Sequence, residues 1–189
     1  MGVGGWIAIG IAAIVILWLI GVYNRLVRLR ALVKEGFSGI TVQLRRRADL
    51  IPNLVSTVQG YAAHERTVFG EVTAHRADPS TARGVAATAQ ADAAFSGMLG
   101  RLMAVAEDYP DLQADENFRQ LQDELSAVEE QLQGARRYYN ATVRDLNTRV
   151  QSFPDVLVAR PMGFSEAESY EDRDASIQSA PVVKFGRAG

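Results

Sequence analysis

The sequence predicts an all-α protein. It opens with one N-terminal transmembrane helix and continues as an antiparallel bundle of long helices, three long plus a short C-terminal element. Three observations carry this expectation. An uncharged apolar run opens the chain, apolar residues then recur at steps of three and four, and period-two alternation is absent.

The opening run is GWIAIGIAAIVILWLIGV, residues 5–22, without charge or proline. At 1.5 Å per residue its length is roughly 27 Å, close to the hydrocarbon thickness of a bilayer. Trp6 and Trp18 lie near its ends and Tyr23 follows, as suits the membrane interface. The competing reading is a cleaved secretory signal. It needs a basic stretch before the run and a small-x-small site after it. Residues 1–5 hold no Lys or Arg, and Gly21-Val22-Tyr23-Asn24 is a poor cleavage site, so the uncleaved anchor is preferred. Arg25, Arg28, Arg30 and Lys34 come directly after the span. The positive-inside rule then sets the N-terminus outside and the rest in the cytoplasm. The same four residues are candidates for contact with anionic lipid headgroups.

From residue 37 to 77, Ile40, Leu44, Ile51, Val55, Val58, Ala62, Val68 and Val72 mark one long amphipathic helix. Pro52 lies inside it and predicts a kink, because its nitrogen cannot donate to the Ala48 carbonyl. Asp78-Pro79-Ser80 signals a turn. An alanine-rich helix follows over 81–107, with Phe95, Leu99, Leu102, Met103 and Ala106 as its expected buried face. The stretch 108–111 marks a break, and Asp115 is the expected N-cap of the third helix. In that helix Phe118, Leu121, Leu125, Val128, Leu132, Ala135, Tyr139, Thr142 and Leu146 form a heptad seam. Ser152-Phe153-Pro154 ends it. The resulting division is 1–24 anchor, 25–36 basic juxtamembrane helix, 37–164 bundle and 165–189 acidic flexible tail. In the tail, Val182, Val183 and Phe185 offer a short apolar piece able to dock.

Charge is segregated along the chain. Residues 23–52 hold seven basic and two acidic side chains, whereas 107–130 hold nine acidic and one basic. In an up-down-up bundle, Arg45, Arg46 and Arg47 would face acidic residues such as Glu116, Asp123 and Glu124, in the same chain or in a neighbouring protomer. A lipid or protein surface is the next reading. Nucleic acid is not expected as a partner, since the 189-residue chain carries a net charge of −2.

Nothing in the motifs points to an enzyme or a cofactor. Cysteine is absent, which excludes disulfides, thiolate metal sites and cysteine nucleophiles. His64-Glu65-Arg66-Thr67-Val68 begins like a zinc-protease motif but lacks the second histidine. His75 and Glu71 are spaced to pair on one helical face.

Residues 23–76, including RRRADLIPNLV and GYAAHE, and residues 109–154, including ARRYYN and the closing FP, together resemble the LemA family. The C-terminal APVVKF is similar to that family's ending. Gly36-Phe37 departs from the family's usual Ala-Trp pair, and Gly36, Gly39, Gly70 and Gly134 are expected at close helix approaches. The resemblance implies a bundle behind one anchor in the bacterial inner membrane, no catalytic motif, and association with TPM-domain proteins or membrane metalloproteases. Two functions are therefore expected in turn. The first is a scaffold contacting membrane lipids and self-associating as a homo-oligomer that organises or shapes the membrane. The alternative is an adaptor for a membrane protease or envelope-stress partner.

Overall fold

The computed structural model describes residues 2–61 and 79–170. Helix α1 (Val3–Tyr61) runs unbroken for 59 residues. After a 3-10 turn at Pro79–Thr81 come α2 (Val85–Glu107), α3 (Pro110–Ala114), α4 (Glu116–Gln151) and α5 (Val156–Ala159). No strand occurs among the described residues.

Helix α1 has two regimes. From Val3 to Gly21 every side chain is exposed, although most are large and apolar. From Val22 onward one stripe is buried: Val22, Leu26, Gly36, Ile40, Leu44, Arg47, Ile51, Leu54 and Val58. Pro52 lies off this stripe and is exposed, so its ring does not disturb the packed face and the helix continues through it. The expected extension of this helix to residue 77 lies outside the described residues, as do His64, Glu71 and His75.

Helix α4 packs antiparallel to α1 along almost its whole length. Of its expected seam, Phe118, Leu132, Tyr139, Thr142 and Leu146 are buried, and Leu121, Leu125, Val128 and Ala135 are half-buried. Asp115 caps it, accepting from the Phe118 amide at 2.9 Å. The tightest approach is at Gly36, where an added Cβ would stand 3.1 Å from the Tyr139 Cα. At Gly39 the approach is looser, 4.0 Å to the Ala135 Cβ, and at Gly134 the nearest group is the Arg137 side chain of the same helix, so no close helix approach occurs there; Gly70 lies outside the described residues.

Three apolar clusters lie in file along this pair. The distal one joins Ile51, Leu54 and Val58 to Phe95, Met98 and Leu102 of α2, Leu112 of α3 and Phe118 of α4. The central one joins Ile40 and Leu44 to Leu132, Tyr139, Val143 and Tyr170. The proximal one joins Val22 and Leu26 to Leu146, Val150, Val158, Ala159 and Phe164.

These clusters revise two expectations. Val85 and Ala89 pack at the central cluster while Met98 and Leu102 reach the distal one, so α2 runs parallel to α1. The up-down-up order is therefore replaced by up-up-down. Seventeen residues, 62–78, separate Tyr61 from the turn that leads into α2, enough chain for two parallel neighbours. The start of α4 then lies beside the end of α1, where Tyr61 donates to Asp115 at 3.0 Å.

The second revision concerns residues 165–170, expected at the head of a flexible tail. They form a docked, extended strap. Asn147 accepts from the Ala167 amide at 2.8 Å and donates to its carbonyl at 2.9 Å. Asn140 does the same for Tyr170, at 2.8 Å and 3.0 Å. Seven residues of helix rise about 10.5 Å and three extended residues span about 10 Å, so both amides meet their partners in step. The strap covers the proximal half of the α1–α4 pair, which α2 does not reach. Residues 171–189, including Val182, Val183 and Phe185, lie outside the described residues.

Candidate functional site

The central feature is a buried charge cluster where α1, α2, α4 and the strap meet. Arg47, from the stripe of α1, is 1% exposed, and so is Asp92 of α2. Arg47 Nη2 donates to Asp92 Oδ1, and Arg136 Nη2 from α4 donates to Asp92 Oδ2. The Tyr170 hydroxyl donates to the same Oδ2 at 2.6 Å. Arg47 Nη1 reaches Glu129 Oε2 at 3.1 Å and Ser96 Oγ at 3.2 Å. The Arg47 guanidinium also lies 4.8 Å from the centre of the Phe95 ring.

Charge is balanced here, with two guanidinium groups against the carboxylates of Asp92 and Glu129. Asp92 accepts three hydrogen bonds, so its lone pairs are largely committed to the segments that meet it. Burial first, then the bond to Asp92, hold the Tyr170 hydroxyl protonated well above the usual tyrosine range. The cluster is thus a latch fastening four segments to one carboxylate.

The arginine triplet divides by azimuth. Three successive helical residues span about 200° between the first and the last, so they cannot share one contact. Arg47 enters the core, Arg46 donates to Gln131 Oε1 at 3.3 Å, and Arg45 is exposed. None of the three meets Glu116, Asp123 or Glu124 within the chain, because the observed register sets those residues beside the distal end of α1. All three carboxylates are exposed. Arg47 instead finds Asp92 and Glu129.

The juxtamembrane basic residues also divide. Arg30 donates to the Gly163 carbonyl at 2.8 Å and lies 4.5 Å from the centre of the Phe164 ring, so it serves the bundle. Arg25, Arg28 and Lys34 are exposed and have no ion-pair partner among the described residues. Directly before them, α1 is long and apolar enough to cross a membrane and is uncovered by the bundle.

Fold and latch together define a class: a helical bundle whose main helix continues beyond the bundle as a candidate membrane helix. The LemA family model matches residues 36–185, and the chain belongs to the LemA family. It is similar to magnetosome proteins MamQ 2 and MamQ 1 of Paramagnetospirillum magneticum. Each is 26% identical over 187 residues, spanning 85% of this chain and 68% of the relative. It is also similar to the protein LemA of Metamycoplasma hominis, 25% identical over 148 residues, spanning 76% of this chain and 66% of that relative.

Proposed function

We propose that the protein is a single-span inner-membrane scaffold whose cytoplasmic bundle self-associates and organises the surrounding membrane. The observation that carries this reading is the continuity of α1, one helix from the uncovered apolar span to the distal end of the bundle. A bundle held this way transmits its orientation to the bilayer. The basic side chains of Arg25, Arg28, Arg30 and Lys34 after the span favour a cytoplasmic bundle and an N-terminus outside. The similarity to magnetosome proteins agrees with a role in membrane organisation.

Self-association is supported by charges the chain leaves uncommitted. Arg45 on one side, and Glu116, Asp123 and Glu124 on the other, are exposed and form no ion pair among the described residues. Such groups contribute little alone, but set register between neighbouring copies.

The test is the mass of the full-length protein in mild detergent, by light scattering, with and without reversal of Arg45 to Glu. The scaffold reading expects a defined oligomer that shrinks on reversal. A monomer at every concentration overturns it and favours an adaptor for another membrane protein.

A further inference from the structure

The end of the bundle nearest the apolar span carries a second apolar surface. Phe153, Leu157 and Met162 are 80%, 63% and 58% exposed. They belong to the turn 152–164 that links α4 to the strap, and they are large side chains left in the open where smaller polar ones would serve a soluble turn. Their neighbours in the same turn behave oppositely: Val158, Ala159 and Phe164 are buried against Val22 and Leu26.

The register locates this surface. Tyr61 pairs with Asp115, Arg47 with Glu129, and Gly36 abuts Tyr139, so α4 descends by one residue for each that α1 ascends. Its last turn, at Val150, therefore packs on Val22 and Leu26. Tyr23 makes an edge contact with Phe164, ring centres 5.8 Å apart. The turn thus lies level with the residues at which α1 leaves the bundle and its uncovered apolar segment begins.

Charge at this end agrees. The only carboxylate in the turn, Asp155, is buried and bound by Arg149 at 2.8 Å. Arg160 in the turn, with Arg25 and Arg28 of α1, is exposed. Apolar side chains with a basic surround and a neutralised acid suit the headgroup boundary of an anionic bilayer, where apolar groups sink about 5–10 Å.

We infer that the turn 152–164 is a second membrane contact, with Phe153, Leu157 and Met162 inserted into the bilayer interface beside the α1 span. This rests on the reading of α1 as a membrane anchor. It would hold the bundle upright at two points instead of one, and so fix its rotation about α1.

The chain has no native cysteine, so single labels are clean. Full-length variants Phe153→Cys, Leu157→Cys, Met162→Cys, Ile14→Cys and Val42→Cys are labelled with a small fluorophore. They are reconstituted in vesicles of phosphatidylcholine and phosphatidylglycerol that carry a lipid-borne quencher, placed at shallow depth in one set and at mid-bilayer depth, to read position 14, in another. Val42, exposed in mid-bundle, is the water control, and Ile14 reports the span. Labels at 153, 157 and 162 are expected to be quenched severalfold more than at 42, with the label at 14 also quenched. Quenching at 14 alone, with the three turn labels behaving like 42, overturns the inference and leaves the anchor intact. Turn labels shielded from aqueous iodide yet unquenched by lipid also overturn it, because a second protein surface then covers them. An unquenched label at 14 overturns the anchor reading itself.

Discussion

Asp92 is the residue on which most of the fold converges, since one carboxylate receives Arg47, Arg136 and Tyr170. Taking such ions from water is costly, and the arrangement holds because every charge meets an opposite one. Asp92→Asn leaves two buried guanidinium groups under-compensated and is expected to lower stability by about 3–5 kcal/mol in urea titrations. Replacing Arg47, Asp92 and Arg136 together by Met, Leu and Met should recover most of that loss, as for other buried ion groups exchanged for apolar ones. Tyr170→Phe is expected to lose on the order of 1–3 kcal/mol at neutral pH. It also tests a pH dependence. The folded state keeps the Tyr170 proton where the unfolded chain releases it near pH 10, so this stabilisation is complete below about pH 10 and fades as pH rises further. The phenylalanine variant should show a flatter alkaline decline. Asp92 was legible only in part. The expected buried face began at Phe95, but Thr88 and Asp92 continue the same stripe backward at steps of three and four. A polar residue in phase with an apolar stripe was the available signal. Arg136 falls four residues after buried Leu132 and carried the same signal.

Among elements, the α1–α4 pair was readable because its apolar repeat is long and regular. The cap at Asp115 followed from residue type and position. The direction of α2 was not readable, because helical periodicity gives a buried face but no sense of travel. The strap escaped for another reason. Its docking depends on Asn140 and Asn147, whose seven-residue spacing makes sense only with an extended chain beside it. Exposed acidic residues in 165–170 dominated the composition and masked the backbone's role. Close approach at Gly36 gives an element-scale prediction. Gly36→Leu must push α1 away from the Tyr139 backbone and is expected to cost about 1–3 kcal/mol by overpacking, read as a lower thermal midpoint. Pro52→Ala should act oppositely. It restores a helical N–H at an exposed site and is expected to stabilise α1 by up to about 3 kcal/mol, read in the same melts.

At the scale of the whole molecule, the exposed apolar start of α1, the latch and the strap form one mechanical sequence. The span meets the bundle at Val22, the proximal cluster and strap clasp α1 over its next turns, and the latch at Arg47 fastens α2 behind them. Under the proposed function, a protein built this way would couple what happens at the bundle surface to the tilt of its candidate membrane helix. The most direct test of that coupling is the distance between spin labels on full-length protein carrying Ile14→Cys and Val42→Cys, reconstituted in nanodiscs. The two positions are separated by 28 residues of α1, and a continuous helix sets them about 42 Å apart. A single narrow distance distribution near that value is expected. A broad or markedly shorter distribution would mean that span and bundle are joined by a hinge, and would contradict it.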